Sequence, residues 1–287
     1  MNQTYTSHLE HLIQQALAED VGSGDHSSLC CINPNQKGKA MLKVKENCII
    51  AGVEVAKKIF ENVENSSIFK ASLKDGDSAV EGQEAFEVEA SILTILKCER
   101  LVLNIMQRMS GIATLTKEYS KIISKYNCKI LDTRKTTPNF RLLEKEAVRI
   151  GGGNNHRFGL YDMIMLKDNH LDYCGGISKA IELAFDYKKK NNLSIHIEIE
   201  TRSIEEVKEV CLNGKGKVDR IMLDNFSPDQ ISEALSIINK EFETEASGGI
   251  NKQNIETYAA TGIDFISVGA LIHQAKSVDL SLKAKLV

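Results

Sequence analysis

The sequence predicts an α+β half followed by a parallel α/β barrel, and three observations lead there. The chain has 287 residues, about two domains at roughly 150 residues each, or one large barrel. Its hydrophobic pattern changes near Ile92. Beyond that point, short apolar runs recur, each closed by a polar or small residue and followed by a helical stretch.

Taken in order, His8–Asp20 repeats apolar residues at helical period through Leu9, Leu12, Ile13, Ala16 and Leu17, and Gly22–Gly24 with Asp25 break it. Between Lys37 and about Glu89 the period shortens to two. GKAMLKVKENCIIAG reads as strand, and Asp75-Gly76 and Glu81-Gly82 mark turns between further strands. This is the α+β half, residues 1–110. Helical periodicity runs from Ile92 to about Tyr126. The strands KILDT, MIMLKD, IHIEIE, RIMLDN, ETEAS and FISVGA then alternate with helices over 111–276. Such a rhythm makes parallel sheets, whose ligands sit at the carboxyl ends of the strands. Those ends carry Asp132, Lys167, Glu200, Asp224, Ser247 and Gly269. One shared site for all of them requires a barrel mouth, since an open sheet would spread them along a line.

Composition narrows the function. Lys plus Arg is 36 against 39 Asp plus Glu, a net charge of −3. No global nucleic-acid footprint follows, and 6% aromatic residues with no Trp argue against base stacking. The start lacks a basic region followed by an apolar core, and no run approaches the ~18 apolar residues of a membrane span. Seven scattered cysteines with no CxxC fit neither a disulfide framework nor a zinc site. A cytoplasmic protein is expected.

Candidate chemistry clusters at the strand ends. In DTRKTTPNFR, Thr133, Arg134 and Lys135 follow a strand. Arg supplies a planar fork for carboxylate or phosphate and Lys a point charge, though a solvated loop explains the same residues. GGGNNHRFG adds His156 and Arg157 beside flexible glycines. Lys167 ends an apolar strand, where it needs an anion or a salt bridge to Glu200 or Asp224. Glu200 and Asp224 suit Mg²⁺ held by two carboxylates and substrate phosphates. Glu198 shares the parity of Glu200, and its place further from the strand end favours Glu200 as the site residue. Ser247, Gly248, Gly249 and Gly269 lie in the last two strand–helix loops, the usual phosphate site of barrels, where backbone N–H groups at helix starts bind anions. The residues alone describe a mouth for a polyanionic substrate, without naming a reaction.

The ordered blocks ERLVLNIMQRMSGIAT, DTRKTTPNFR, GGGNNHRFGLYDMIMLKDNH, IEIE, IMLDNF, EASGGI and SVGALIH resemble the quinolinate phosphoribosyltransferases over nearly the whole chain. The resemblance implies an N-terminal open sandwich and an incomplete, seven-stranded α/β barrel, with the tail 277–287 packed back on the first domain. It implies transfer of phosphoribosyl from phosphoribosyl pyrophosphate to quinolinate with decarboxylation, in NAD biosynthesis, with Mg²⁺ at Glu200 and Asp224. By the same resemblance Arg134, His156 and Arg157 bind the quinolinate carboxylates, and Lys135 and Lys167 hold the pyrophosphate and the dicarboxylate. Glu200 and Asp224 also meet the ribose hydroxyls, while Ser247, Gly248, Gly249 and Gly269 cradle the 5′-phosphate with His273 nearby. Arg100 enters the neighbouring subunit's site, which implies a homodimer; assembly into hexamers stays open. The competing readings are transfer to another pyridine carboxylate such as nicotinate, an aldolase-type barrel with Lys167 as Schiff-base lysine, and a non-catalytic phosphate-ligand sensor.

Overall fold

The computed structural model describes residues 3–285. In chain order its elements are α1 (Gln3–Val21), α2 (His26–Cys31), β1 (Lys37–Val44), β2 (Cys48–Ile49), α3 (Val53–Val63), β3 (Ile68–Ala71), β4 (Ser78–Ala79), β5 (Glu84–Ser91) and α4 (Ile92–Ile122). They continue with β6 (Lys129–Leu131), α5 (Arg141–Ile150), β7 (Met163–Leu166), α6 (Asp168–Cys174), α7 (Ile177–Lys190), β8 (His196–Thr201) and α8 (Ile204–Asn213). The last are β9 (Arg220–Asp224), α9 (Pro228–Ile238), β10 (Glu243–Ser247), α10 (Ile255–Ala259), β11 (Phe265–Ser267), α11 (Ala270–His273) and β12 (Leu280–Lys285). Among the described residues no helix is long and apolar enough to cross a membrane.

The chain forms two compact units, and they do not meet at a single cut near residue 110. One takes the chain through Lys117, Thr136–Gly152 and everything from Leu271 on; the other takes Glu118–Lys135 and Gly153–Ala270. In the first unit an antiparallel sheet runs β12-β1-β5-β3. Ala40, Leu42 and Val44 of β1 and Phe86, Val88 and Ala90 of β5 are buried at period two, as a sheet covered on one face requires. Phe86 meets Phe69 of β3 at 4.5 Å between ring centroids and Phe60 of α3 at 6.4 Å. Such ring pairs add about 0.5–1.5 kcal/mol beyond their buried area. The tail pairs antiparallel with β1, from Lys39↔Lys285 to Val44↔Leu280. It reaches that edge past Gly111 of α4, where a Cβ would lie 1.9 Å from the Lys276 carbonyl oxygen. Only glycine admits that approach.

Thr136–Gly152 joins the first unit through a buried ion pair. Glu144 of α5, 0% exposed, takes Arg108 Nε at 3.0 Å and Nη2 at 2.8 Å on its Oε1. The Thr137 N–H and hydroxyl donate to the same carboxylate at 2.8 and 3.0 Å. Arg108 also donates to the carbonyls of Ile272, at 2.8 Å, and Ala275, at 2.7 Å. Three distant stretches of chain thus meet on two side chains.

The second unit is a parallel sheet ordered β6-β11-β10-β9-β8-β7. All six segments read as strands from the sequence are strands of this sheet. Its helices have local stop and start signals: Ser203 caps α8 by accepting the Glu206 N–H, and Ser227-Pro228 opens α9 with a capping box closed by Gln230. The seventh strand is reduced to one parallel bridge, Leu131↔Asn154, beside β6. Two residues past that bridge, His156 Nε2 stands 3.0 Å from Glu198 Oε2 of β8. Five inter-strand steps separate the Asn154 bridge from β8, about 24 Å on a flat sheet at roughly 4.8 Å per step. The sheet therefore curls into a barrel. It stays incomplete, because among the described residues no ladder joins the Asn154 segment to β7.

Candidate active site

The carboxyl ends of the second unit's strands carry the polar groups the sequence singles out. At the end of β6, Asp132 is fully buried. Its Oδ1 accepts the His156 N–H at 2.9 Å and its Oδ2 the Asn155 side-chain amide at 2.6 Å. The Asp132 N–H in turn donates to the Asn154 carbonyl at 3.1 Å. These bonds fix the segment that presents His156 and Arg157. The next residues turn outward: the Thr133 hydroxyl accepts the Lys135 N–H at 3.1 Å, and Arg134 and Lys135 are exposed.

Arg157 is 9% exposed, yet among the described residues its guanidinium joins no ion pair. Its hydrogen bond is a long one, 3.5 Å from Nη1 to the Met163 carbonyl. Burial and then the nearby charge of Arg134 push its pKa below the usual guanidinium range. The charges of Glu198 and Asp162 act on it in the opposite direction without overcoming these.

Lys167 and Glu200 form an ion pair at 2.5 Å across β7 and β8. The sequence left this pair as one of two options, and the structure takes it. The Lys167 N–H donates to His170 Nδ1 at 2.9 Å, opening α6. On β9 the Asp224 carboxylate accepts the Asn225 side-chain amide at 2.7 Å. Asn225 is left-handed (φ 60°) and donates its N–H to the Ser247 carbonyl at 2.8 Å. Gly248 packs against the same residue: a Cβ there would lie 2.1 Å from Asn225 Oδ1, and its φ is +93°. Gly249, at φ +64°, faces open space.

The loops differ from expectation in one respect. Gly248 and Gly249 do not open a helix, because α10 begins only at Ile255. Asn251 and Asn254 fill the interval with side-chain turns: the Asn251 N–H donates to Asn254 Oδ1 at 2.8 Å, and the Asn254 amide donates to the Gly249 carbonyl at 3.1 Å. Gly269 does stand directly before α11, a single turn ending at His273. Any anion cradle after β10 is therefore a loop of backbone N–H groups rather than a helix end. Arg100, exposed on α4, and His273 belong to the first unit. The other sequence-predicted site residues belong to the second.

A second cluster lies deeper. Glu198 and Glu245 are both 0% exposed and flank His156 Nε2 at 3.0 and 3.5 Å. His156 Nδ1 accepts the Arg157 N–H at 2.8 Å. Behind Glu245, Arg220 donates from Nη1 at 2.8 Å and from Nη2 to Glu243 at 2.9 Å. Burial works against the imidazolium, but the two carboxylates outweigh it and raise the His156 pKa to about 9. Burial also opposes ionisation of both carboxylates. On Glu245, His156 and Arg220 overcome it and the pKa falls; on Glu198 burial wins and the pKa rises. The three ligand atoms lie within 4.8 Å of one another. Sequence reasoning set Glu198 aside and passed over Glu245 and Arg220. The parity of Glu245 with Ser247 on β10 was the available signal.

Two family models match the chain in succession: the quinolinate phosphoribosyl transferase N-terminal domain over residues 25–110 and the C-terminal domain over 112–283. The chain belongs to the quinolinate phosphoribosyltransferase family. Its relatives include quinolinate phosphoribosyltransferase [decarboxylating] 2, mitochondrial, of Nicotiana glauca, 42% identical over 97% of this chain and 82% of that protein. The probable nicotinate-nucleotide pyrophosphorylase [carboxylating] of Bacillus subtilis is 38% identical over 97% and 94%. Among solved structures, NadC from Streptococcus pyogenes superposes with a TM-score of 0.88 at 38% identity, covering 96% of this chain and 95% of that one. This member of the quinolinate phosphoribosyltransferase family has the N-terminal sheet unit and the C-terminal parallel α/β unit that the resemblance in its motifs implies.

Proposed function

We propose that this chain transfers phosphoribosyl from phosphoribosyl pyrophosphate to quinolinate with loss of carbon dioxide, giving nicotinate mononucleotide and pyrophosphate. The observation that carries the substrate assignment is the buried Arg157 beside Arg134, without a carboxylate partner. A dicarboxylate supplies a counter-charge to Arg157 through bidentate contacts and reaches toward Arg134 beside it. Nicotinate offers one carboxylate to the Arg134, His156 and Arg157 cluster, one charged contact fewer than a dicarboxylate, and is disfavoured for that reason.

The remaining groups take roles suited to their geometry. Lys135, exposed on its loop, and Lys167 meet the pyrophosphate and the dicarboxylate. Lys167 must leave Glu200 in part to do so. Glu200 and Asp224, at the ends of neighbouring strands, face the ribose hydroxyls. They are hard oxygen donors and fit Mg²⁺, which takes one or two carboxylates and completes its shell with substrate phosphate and water. When bound, that ion supplies charge neutralisation of the departing pyrophosphate. The backbone N–H groups of Ser247, Gly248, Gly249 and Gly269 hold the 5′-phosphate. The pyridine nitrogen attacks the anomeric carbon as its bond to pyrophosphate breaks. The carboxylates nearby stabilise positive charge on the ribose carbon. The ring nitrogen, now quaternised, stabilises the carbanion left when the adjacent carboxylate departs as carbon dioxide, and a proton takes its place. The chain provides positioning and charge rather than a nucleophile.

The test is release of carbon dioxide and nicotinate mononucleotide from quinolinate, phosphoribosyl pyrophosphate and Mg²⁺, with nicotinate as parallel acceptor. Product from quinolinate alone is expected. Product only from nicotinate would overturn the substrate assignment, and loss of turnover on chelation tests the metal.

The exposed Arg100 of α4 completes the site of a second copy, so the working form is a homodimer, whatever larger assembly it joins. Arg100→Ala and Lys135→Ala are each inactive alone. Mixed and exchanged, half the dimers carry one intact hybrid site of two, and activity returns to about a quarter of wild type. No recovery in dimers shown to have exchanged would refute sharing. All seven cysteines are free thiols, in keeping with a reducing, cytoplasmic location.

A further inference from the structure

We propose that Glu245, with Glu198 beside it, is a positioning residue for the His156–Arg157 pair that faces the substrate dicarboxylate. The role rests on the functional reading above. Glu245 is 0% exposed and cannot touch a ligand at the barrel mouth. What it can reach is His156 Nε2, at 3.5 Å, which Glu198 meets at 3.0 Å. A ring held at Nε2 can turn only with the carboxylates that hold it. At its other nitrogen the ring accepts the Arg157 N–H at 2.8 Å, so the ring angle sets where the Arg157 backbone lies. Arg157 has no ion pair of its own to place its guanidinium. Its position is inherited from the segment it stands on, and that segment is pinned at one end by Asp132 and at the other by His156.

Arg220 makes the arrangement rigid. Its fork grips Glu245 with Nη1 at 2.8 Å and Glu243 with Nη2 at 2.9 Å, so Glu245 has one orientation to offer. Both Glu198 oxygens and Glu245 Oε1 are buried without a hydrogen bond, so what joins them to His156 is charge at close range. A pair of carboxylates desolvated at this cost inside a barrel is poorly explained as packing, since apolar side chains of similar volume would be at least as stable. It is explained if the pair orients a group that acts on substrate.

Glu245→Gln keeps the shape of the side chain and removes its charge, and Arg220 keeps Glu243 as partner, so the variant is not left with a lone buried cation. Its quinolinate KM is expected to rise about tenfold, with the phosphoribosyl pyrophosphate KM unchanged and kcat at saturating quinolinate retained. Glu245→Asp restores the charge and part of the affinity. In parallel, nitrogen-15 spectra follow the His156 ring nitrogens and the Arg157 amide, and in Glu245→Gln both the Nε2 resonance and the Arg157 amide shift. The spectra do not depend on which substrate the enzyme takes. Wild type inactive on quinolinate, with the His156 and Arg157 signals still moving in the variant, refutes the substrate reading and leaves the positioning role standing. An unmoved pair of signals overturns the positioning role. So does an unchanged quinolinate KM in a folded variant, or a loss that falls equally on both substrates. If Glu245→Gln fails to fold, Arg220→Lys serves instead: it keeps the charge but loses the fork, and the same two signals and the same KM decide.

Discussion

Arg157→Ala is expected to raise the quinolinate KM about a hundredfold while the phosphoribosyl pyrophosphate KM stays within about twofold. Removing one member of a desolvated charge pair costs about 2–5 kcal/mol, and Arg157 is 9% exposed. Among the described residues no carboxylate shares an ion pair with it, and with quinolinate as its partner, as proposed above, the loss falls on substrate. Stability should move the other way. Burial and Arg134 both oppose the Arg157 charge, so deleting it relieves a cost that the folded chain bears for binding. The variant should melt no lower than wild type. Arg157→Lys should recover little, because an ammonium cannot reproduce the fork. Steady-state kinetics with each substrate varied, together with thermal denaturation, check both halves. An unchanged quinolinate KM would remove Arg157 from the site.

Glu144→Ala is the substitution that should harm stability most, by about 3–5 kcal/mol in urea denaturation, the range for breaking a buried ion pair by deleting one partner. Glu144 is 0% exposed and accepts from Arg108 and Thr137. Without it, the Arg108 guanidinium loses its counter-charge, and the Thr137 N–H and hydroxyl lose their acceptor. Glu144→Gln should cost less, since its carbonyl oxygen still accepts. Arg108 also holds the carbonyls of Ile272 and Ala275, which flank His273. The Ala variant should therefore also loosen the turn that carries His273. A loss below about 1 kcal/mol, the size of an ordinary single hydrogen bond, would show that Glu144 is not the hub its contacts describe.

The strands of the barrel were readable because each is an apolar run of high β-propensity ended by a turn signal. The bridge at Asn154 was not, since one residue of pairing beside β6 leaves no period to detect. The positions of Lys167, Glu200 and Asp224 followed from strand ends alone. Glu198 against Glu200 did not, because parity puts both on one face and only the curl of the sheet brings Glu198 under His156. Gly248 and Gly249 read as a helix start because the sequence shows small residues after a strand. Asn251 and Asn254 then spend their side chains on turns before Ile255. That α5 belongs with the first unit rests on Arg108 and Glu144, side chains 36 residues apart in sequence. No local pattern announces such a pairing.

The pairing of β12 with β1 encloses both segments of the second unit in sequence between strands of the first. Lys39 faces Lys285, and most of the intervening chain is the barrel. Joining two strands across so long a flexible loop is entropically expensive and slow. A barrel that has already folded replaces that loop by a compact body and spares most of the search. The barrel is then a folding template for the sheet that encloses its ends in sequence. Substitutions confined to the barrel that slow its formation should also delay the closing of β1 onto β12, although they touch neither strand.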